Sequence, residues 1–192
     1  MTFGLVLCGG ESRRMGTAKA LLPWRGGTLL GHAVGRLRAA GLEPLCAGPA
    51  EWAEAALCRP LADEPPGAGP LGGIAAGLAL GDVFVLAVDM PLLTPDEIAR
   101  LVARGRERGL ALVPEAAGRL QPLAAFWPQT LRRALAQYLG RGERSVVGFL
   151  EGEPHVRLDE PALRRLGVDP GHLRGANTPD AWEALQREEG QP

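Results

Sequence analysis

The stretch that most constrains this chain runs from Leu7 to Lys19, Leu-Cys-Gly-Gly-Glu-Ser-Arg-Arg-Met-Gly-Thr-Ala-Lys. It follows the apolar run Phe3–Leu7, which reads as a buried parallel strand. The chain then turns polar, cationic and glycine-rich. Gly9, Gly10 and Gly16 permit positive φ and close backbone approach to a ligand. Arg13, Arg14 and Lys19 put positive charge on the same loop. Amide N–H groups and cations at the carboxyl end of a parallel strand suit a polyphosphate. Lys19 is the single lysine, and every other basic side chain apart from histidine is arginine. A lysine here points to a compact point charge rather than a planar fork; the alternative is that the one lysine falls here by chance.

Two common phosphate motifs do not fit. A Walker loop needs Gly, four residues, then Gly-Lys-Ser/Thr, whereas Gly10 and Gly16 bracket five and Lys19 comes three later. Gly67-Ala-Gly69-Pro-Leu-Gly72 matches a dinucleotide fingerprint, but Pro65-Pro66 precedes it where a strand belongs. A nicotinamide oxidoreductase is therefore the weaker reading. The loop does resemble the signature Leu-x-Gly-Gly-x-Ser-x-Arg-Met-Gly-x-x-Lys of nucleotidyltransferases that activate sugars or small cofactors. The matching residues are Leu7, Gly9, Gly10, Ser12, Arg14, Met15, Gly16 and Lys19.

At 192 residues and 46% hydrophobic, the chain has material for one domain, 1–192, with an ample core. A net charge of −1 argues against a nucleic-acid partner. No uncharged apolar stretch reaches about 18 residues, so no membrane span is expected, and no signal peptide is expected either. Cys8, Cys46 and Cys58 are odd in number and lack metal-like spacing. Free thiols acting as small hydrophobes in a reducing cytoplasm fit them. His32, His155 and His172 are dispersed, with no candidate nucleophile beside any of them.

Apolar strands alternate with amphipathic helices, the pattern of a mostly parallel sheet covered on both faces. Helices are predicted from the Thr28 cap to about Ala40, over 51–57, from Pro70, from the Thr94 cap to about Arg108, over 128–139, over 145–150 and from Asn177. Strands are predicted at 42–47, 83–88, 110–113, 123–127 and 155–158, with 169–175 as loop. The run 83–88 is the most strand-like and is expected at the sheet centre. Asp89 sits directly off its carboxyl end, where an unpaired buried carboxylate is costly. It suits Mg²⁺, with triphosphate oxygens and waters completing the octahedron; the alternative is a loop cap. The glycines of 67–78 either meet a nucleotide or let a helix pack tightly on the sheet. Asn177 is either a turn or cap residue or a substrate contact.

In order, the motifs are Leu7–Gly10, Arg14–Gly16, Lys19, Asp63, Gly69-Pro-Leu-x-Gly-Ile74, Asp89-Met-Pro91 and Asn177-Thr-Pro179. Together they resemble the molybdenum cofactor guanylyltransferases, over nearly the whole chain. That resemblance implies a single-domain, three-layer Rossmann-like nucleotidyltransferase fold of the GT-A type. It implies GMP transfer from GTP to molybdopterin with release of pyrophosphate, aided by Mg²⁺. By the same resemblance Leu7, Cys8, Gly9, Gly10, Ser12, Gly16, Lys19, Asp63, Gly69, Pro70, Leu71 and Asp89 would contact GTP. Asp89 would also hold the metal, Arg14 and Gly16 would lie at the reacting phosphates, Arg14, Lys19 and Asp89 would be the catalytic residues, and Asn177 would lie on the pterin side. Hand-off of the labile pterin between cofactor-biosynthesis proteins is consistent with this. Two positions depart from the family: Cys8 stands where Ala is common, and Ala47-Gly48-Pro49-Ala50 lacks an Asn that often touches the nucleotide. Two rivals are a CTP or sugar-phosphate transferase and a nucleotide-binding regulator without turnover.

Overall fold

The computed structural model describes residues 1–9, 18–175 and 179–188. In chain order β1 (Thr2–Leu7) is followed, beyond a single 3-10 turn at Lys19–Leu21, by a small ribbon of β2 (Pro23–Trp24) and β3 (Gly27–Thr28). Then come α1 (Leu29–Ala39), β4 (Glu43–Ala47), α2 (Ala50–Ala55), β5 (Arg59–Leu61), α3 (Pro70–Leu80) and β6 (Asp82–Ala87). The second half holds α4 (Pro95–Arg108), β7 (Ala111–Ala116), β8 (Arg119–Leu120), β9 (Ala124–Trp127), α5 (Arg132–Gly140), α6 (Val146–Glu151), β10 (His155–Leu158), α7 (Glu160–Leu166) and α8 (Pro179–Glu188).

The main sheet has the order β10-β7-β9-β6-β1-β4-β5, with β8 paired to β7. Along that order every strand is parallel except β9, which runs antiparallel to β6 and β7. The apolar run from Val83 takes the middle position, and Val83, Phe84, Val85 and Leu86 are wholly buried. A strand buried on both faces needs no polar alternation, which is why it reads as a continuous apolar stretch. On one face Leu30, Val34 and Leu37 of α1 pack with Ile98 and Leu101 of α4 and Leu163 of α7. On the other, Leu71, Ile74 and Leu78 of α3 pack with Leu135 of α5 and Phe149 of α6. The expected three layers are present.

Helix starts follow their caps. Thr28 Oγ1 accepts from Gly31 N at 3.1 Å. Thr94 and Glu97 form a reciprocal capping box, with Pro95 in the first turn. Three of the elements that were not expected have a clear local reason. Strand β5 carries Pro60 and pairs only with β4, at the sheet edge where a missing N–H is tolerated. Helix α7 has an Asp159 cap, Pro161 and a left-handed Gly167 stop, but seven residues with Leu163 alone buried give no periodicity. A 3-10 turn at Pro170–Leu173 occupies the expected loop. The expected Asn177 cap lies outside the described residues.

The connections position the site. From β1 the chain moves outward to β4 and β5, then returns across β1 to β6. The strand order reverses between β1 and β6, and a crevice opens at their carboxyl ends, the usual ligand position in such sheets.

Candidate active site

A cleft of about 790 Å³ opens at that reversal. Leu7, Cys8 and Gly9 form one wall. Val88 N donates to Leu7 O at 3.3 Å, tying the ends of β1 and β6 together. Cys8 N and Gly9 N both donate to Ala47 O, at 3.0 and 3.1 Å, so the start of the glycine loop is drawn over the end of β4.

Lys19 and Asp89 both line the cleft. The Lys19 ammonium donates to Asp89 Oδ2 at 3.0 Å, with about one sixth of each side chain exposed. A charge-assisted bond of that length fixes both groups. Asp89 sits in a tight turn closed by Met90 N donating to Ala87 O at 3.2 Å. Two residues read from separate sequence signals therefore meet in one place.

Asp63, Gly67, Gly69 and Pro70 also line the cleft. Burial pushes the Asp63 carboxyl above the usual carboxylate range. Gly67 and Gly69 have φ of 74° and 63°, which glycine adopts at no cost. The glycines of this segment divide between the two readings. Gly67 and Gly69 line the cleft, whereas Gly72 and Gly73 serve packing. A Cβ at Gly73 would meet Ala47 Cβ at 2.7 Å and Leu7 Cδ2 at 3.0 Å, and one at Gly72 would meet Asp63 Cβ at 3.0 Å. Leu71 is placed elsewhere: it is wholly buried in the core beneath α3, so its side chain does not face the cleft. Gly10, Ser12, Arg14, Gly16 and Asn177 lie outside the described residues.

Ala47, Ala87, Val88 and Leu123 also line the cleft and escaped sequence reading, because an apolar strand end looks like core. Next to it, Gly9, Ala47, Gly48, Asp63 and Gly67 border a smaller cavity of about 280 Å³. Among the described residues no group of three His, Cys, Asp or Glu could hold a metal by itself. The donor set instead fits Mg²⁺, which commonly takes one or two carboxylates and substrate phosphates. The thiols are free and buried, and Cys8 Sγ lies 3.0 Å from Cys46 Sγ.

Residues 4–156 match the family model of the MobA-like NTP transferase domain. The chain belongs to this family. Among curated MobA-like relatives, the molybdenum cofactor guanylyltransferase of Cereibacter sphaeroides is 41% identical over 170 residues, covering 83% of this chain and 86% of the relative. That of Mesorhizobium japonicum is 35% identical over 192 residues, covering 92% and 90%. Among solved structures, molybdopterin-guanine dinucleotide biosynthesis protein A from Archaeoglobus fulgidus superposes with a TM-score of 0.85 at 25% identity, over 99% of both chains. The MobA-like chain is thus a nucleotidyltransferase of the expected fold. Among its described residues no helix is long and apolar enough to cross a membrane.

Proposed function

We propose that the chain transfers GMP from GTP to molybdopterin, releasing pyrophosphate and forming the guanine dinucleotide cofactor. The names of the relatives support both substrates. The observation that carries the chemistry is the pairing of Lys19 and Asp89 inside the cleft at the strand-order reversal.

The attacking group in this reaction is a phosphate that is already anionic, so no side chain has to remove a proton. The described cleft lining contains no histidine, in keeping with that. The difficulty is repulsion between two anions, which positioning and charge neutralisation relieve. Lys19 meets phosphate oxygens with its ammonium. The backbone at Gly9, Gly67 and Gly69 lets the nucleotide approach closely. Asp89 would hold Mg²⁺, and Asp63 is a second carboxylate lining the same cleft. Mg²⁺, when bound, acts as a Lewis acid toward the triphosphate and the leaving pyrophosphate. By sequence match Arg14 and the backbone of Gly10, Ser12 and Gly16 complete the phosphate cradle, and Asn177 serves the pterin side. In the smaller cavity, Ala47 and Gly48 offer a base backbone groups and no polar side chain. A reducing cytoplasm suits the three free thiols.

Pyrophosphate release, measured with each nucleoside triphosphate in turn, with and without molybdopterin and Mg²⁺, tests the reading. Release is expected only with GTP, molybdopterin and the metal together. Equal release with CTP, or release driven by a sugar phosphate, would point to a different transferase. Metal-independent binding without release would point to a regulator.

A further inference from the structure

Helix α1 places two polar side chains one turn apart against the loop that carries Asp89. Arg36 is only 6% exposed, on a helix face otherwise built from Leu29, Leu30, Ala33, Val34 and Leu37. Its Nη1 donates to Met90 O at 2.9 Å and to Leu93 O at 2.7 Å. His32 Nε2 lies 3.1 Å from Pro91 O, in position to donate as the Nε2–H tautomer. The Trp24 ring stands 6.1 Å from the imidazole and limits where it can turn. Three carbonyls, at residues 90, 91 and 93, are thus held by one face of one helix.

This arrangement is poor economy for a purely structural contact. Arg36 Nε and Nη2 are buried with no hydrogen-bond partner among the described residues. No carboxylate forms an ion pair with the guanidinium among the described residues. Burial, helped by Arg25, lowers its pKa to about 10. A buried, incompletely bonded cation is costly, and an apolar side chain at position 36 would continue the face without that cost. The guanidinium does supply two directed bonds to the loop that follows Asp89, at Met90 and Leu93. Bonds made directly to a metal-binding carboxylate are commonly worth about 10–100-fold in metal affinity or activity; these act one step further out, on the backbone that follows Asp89.

We propose that Arg36 and His32 are positioning residues for nucleotidyl transfer: from α1 they fix the carbonyls of Met90, Pro91 and Leu93 and so aim the Asp89 carboxylate into the cleft. The proposal rests on the reading of Asp89 as the metal-holding group.

The test compares wild type with Arg36→Met, Arg36→Lys and His32→Phe. Four quantities are read: melting temperature, GTP affinity without metal, Mn²⁺ affinity in the presence of GTP by electron paramagnetic resonance, and kcat. For Arg36→Met the expected result is Mn²⁺ affinity and kcat each down about tenfold or more, with metal-free GTP affinity within about twofold of wild type. Arg36→Lys, which keeps a charged donor, should recover most of the lost Mn²⁺ affinity. His32→Phe leaves Arg36 intact and should lower Mn²⁺ affinity severalfold. It carries the test if Arg36→Met does not fold. Unchanged Mn²⁺ affinity in the folded variants overturns the proposal and leaves Asp89 as metal holder untouched. An equal loss of metal-free GTP affinity makes the contact merely structural and also overturns it. Failure of wild type itself to bind Mn²⁺ with GTP removes the reading of Asp89 and the proposal with it.

Discussion

The Lys19 ammonium and the Asp89 carboxylate lie 3.0 Å apart although 70 residues separate them in sequence. One follows the glycine loop after β1, and the other follows the central strand β6. Neither is needed to close the core, because both face the cleft. Lys19→Ala and Asp89→Ala should therefore fold and should each lower kcat by about a hundredfold or more, the usual cost of losing one electrostatic stabiliser. Steady-state kinetics with saturating Mg-GTP, alongside circular dichroism of each variant, checks this. Near-normal turnover in both would remove the mechanism.

Gly73 is a packing residue whose effect should reach the site. Its missing side chain lets α3 lie on Ala47 and Leu7 at the ends of β4 and β1. Ala47 is the last residue of β4, buried between β1 and β5. Gly73→Ala should destabilise the fold by about 1–3 kcal/mol through overpacking. It should also raise the KM for GTP, since Gly69 and Pro70 at the start of α3 form a cleft wall. Gly35 is the control. It lies in α1 with open space around it, so Gly35→Ala should stabilise by up to about 1 kcal/mol. Urea melts of both variants separate the two cases.

The thiols should differ in reactivity. The hydrogen bond to Cys46 pulls the Cys8 thiol down, despite its burial. Cys46 is drawn down by Cys58 but pushed further up by Cys8 and by burial, to about 12. The hydrogen bond to Cys46 and burial raise Cys58 as well. Thiolate is the reactive form, and Cys8 alone of the three lines the cleft. Iodoacetamide at pH 8, read by peptide mass spectrometry, should modify Cys8 first. Mg-GTP at a hundred times its Kd should slow that modification about a hundredfold. Modification of Cys46 ahead of Cys8, or no protection by nucleotide, would contradict the placement.

The parts of this molecule that sequence revealed are those where one local cause acts alone. Val83–Val88 reads as a central strand because burial on both faces demands an uninterrupted apolar run. Asp89 stands out because a carboxylate directly after such a strand has no cheap structural use. Lys19 stands out against a background of arginine. What escaped depends on distant partners. Pro60 argues locally against a strand, and only the edge position of β5 makes it acceptable. Leu123 reaches the cleft through Ala87 N, which donates to its carbonyl at 2.7 Å, a pairing created by the antiparallel return of β9. Arg36 carries no sequence signal of its own, because its contact with Met90 across 54 positions leaves no trace in the local pattern. Asp63 was legible only through family resemblance, since its value as a cleft residue comes from the glycines of α3 that make room for it.

Glu97 should set the acid limit of this fold. It is 5% exposed and accepts from Thr94 N at 2.8 Å, Thr94 Oγ1 at 2.9 Å and Asp169 N at 2.8 Å, with His172 Nδ1 at 3.0 Å. These bonds join the start of α4 to the 3-10 turn at Pro170–Leu173. Burial alone would raise the carboxyl, but the two backbone N–H groups, His172 and the Thr94 hydroxyl together hold it below its ordinary 4.5. The folded state therefore binds this proton less readily than the unfolded chain. Its contribution to stability is complete above about pH 4.5 and is lost as pH falls through the depressed folded value. At neutral pH Glu97→Gln should cost about 1–3 kcal/mol, the range for bonds to a charged group. Below about pH 4.5 the wild type should lose stability faster than the variant, so that their urea midpoints converge on acidification. Midpoints that stay parallel from pH 7 down to about pH 3 would show that the carboxylate is not the group the network depends on.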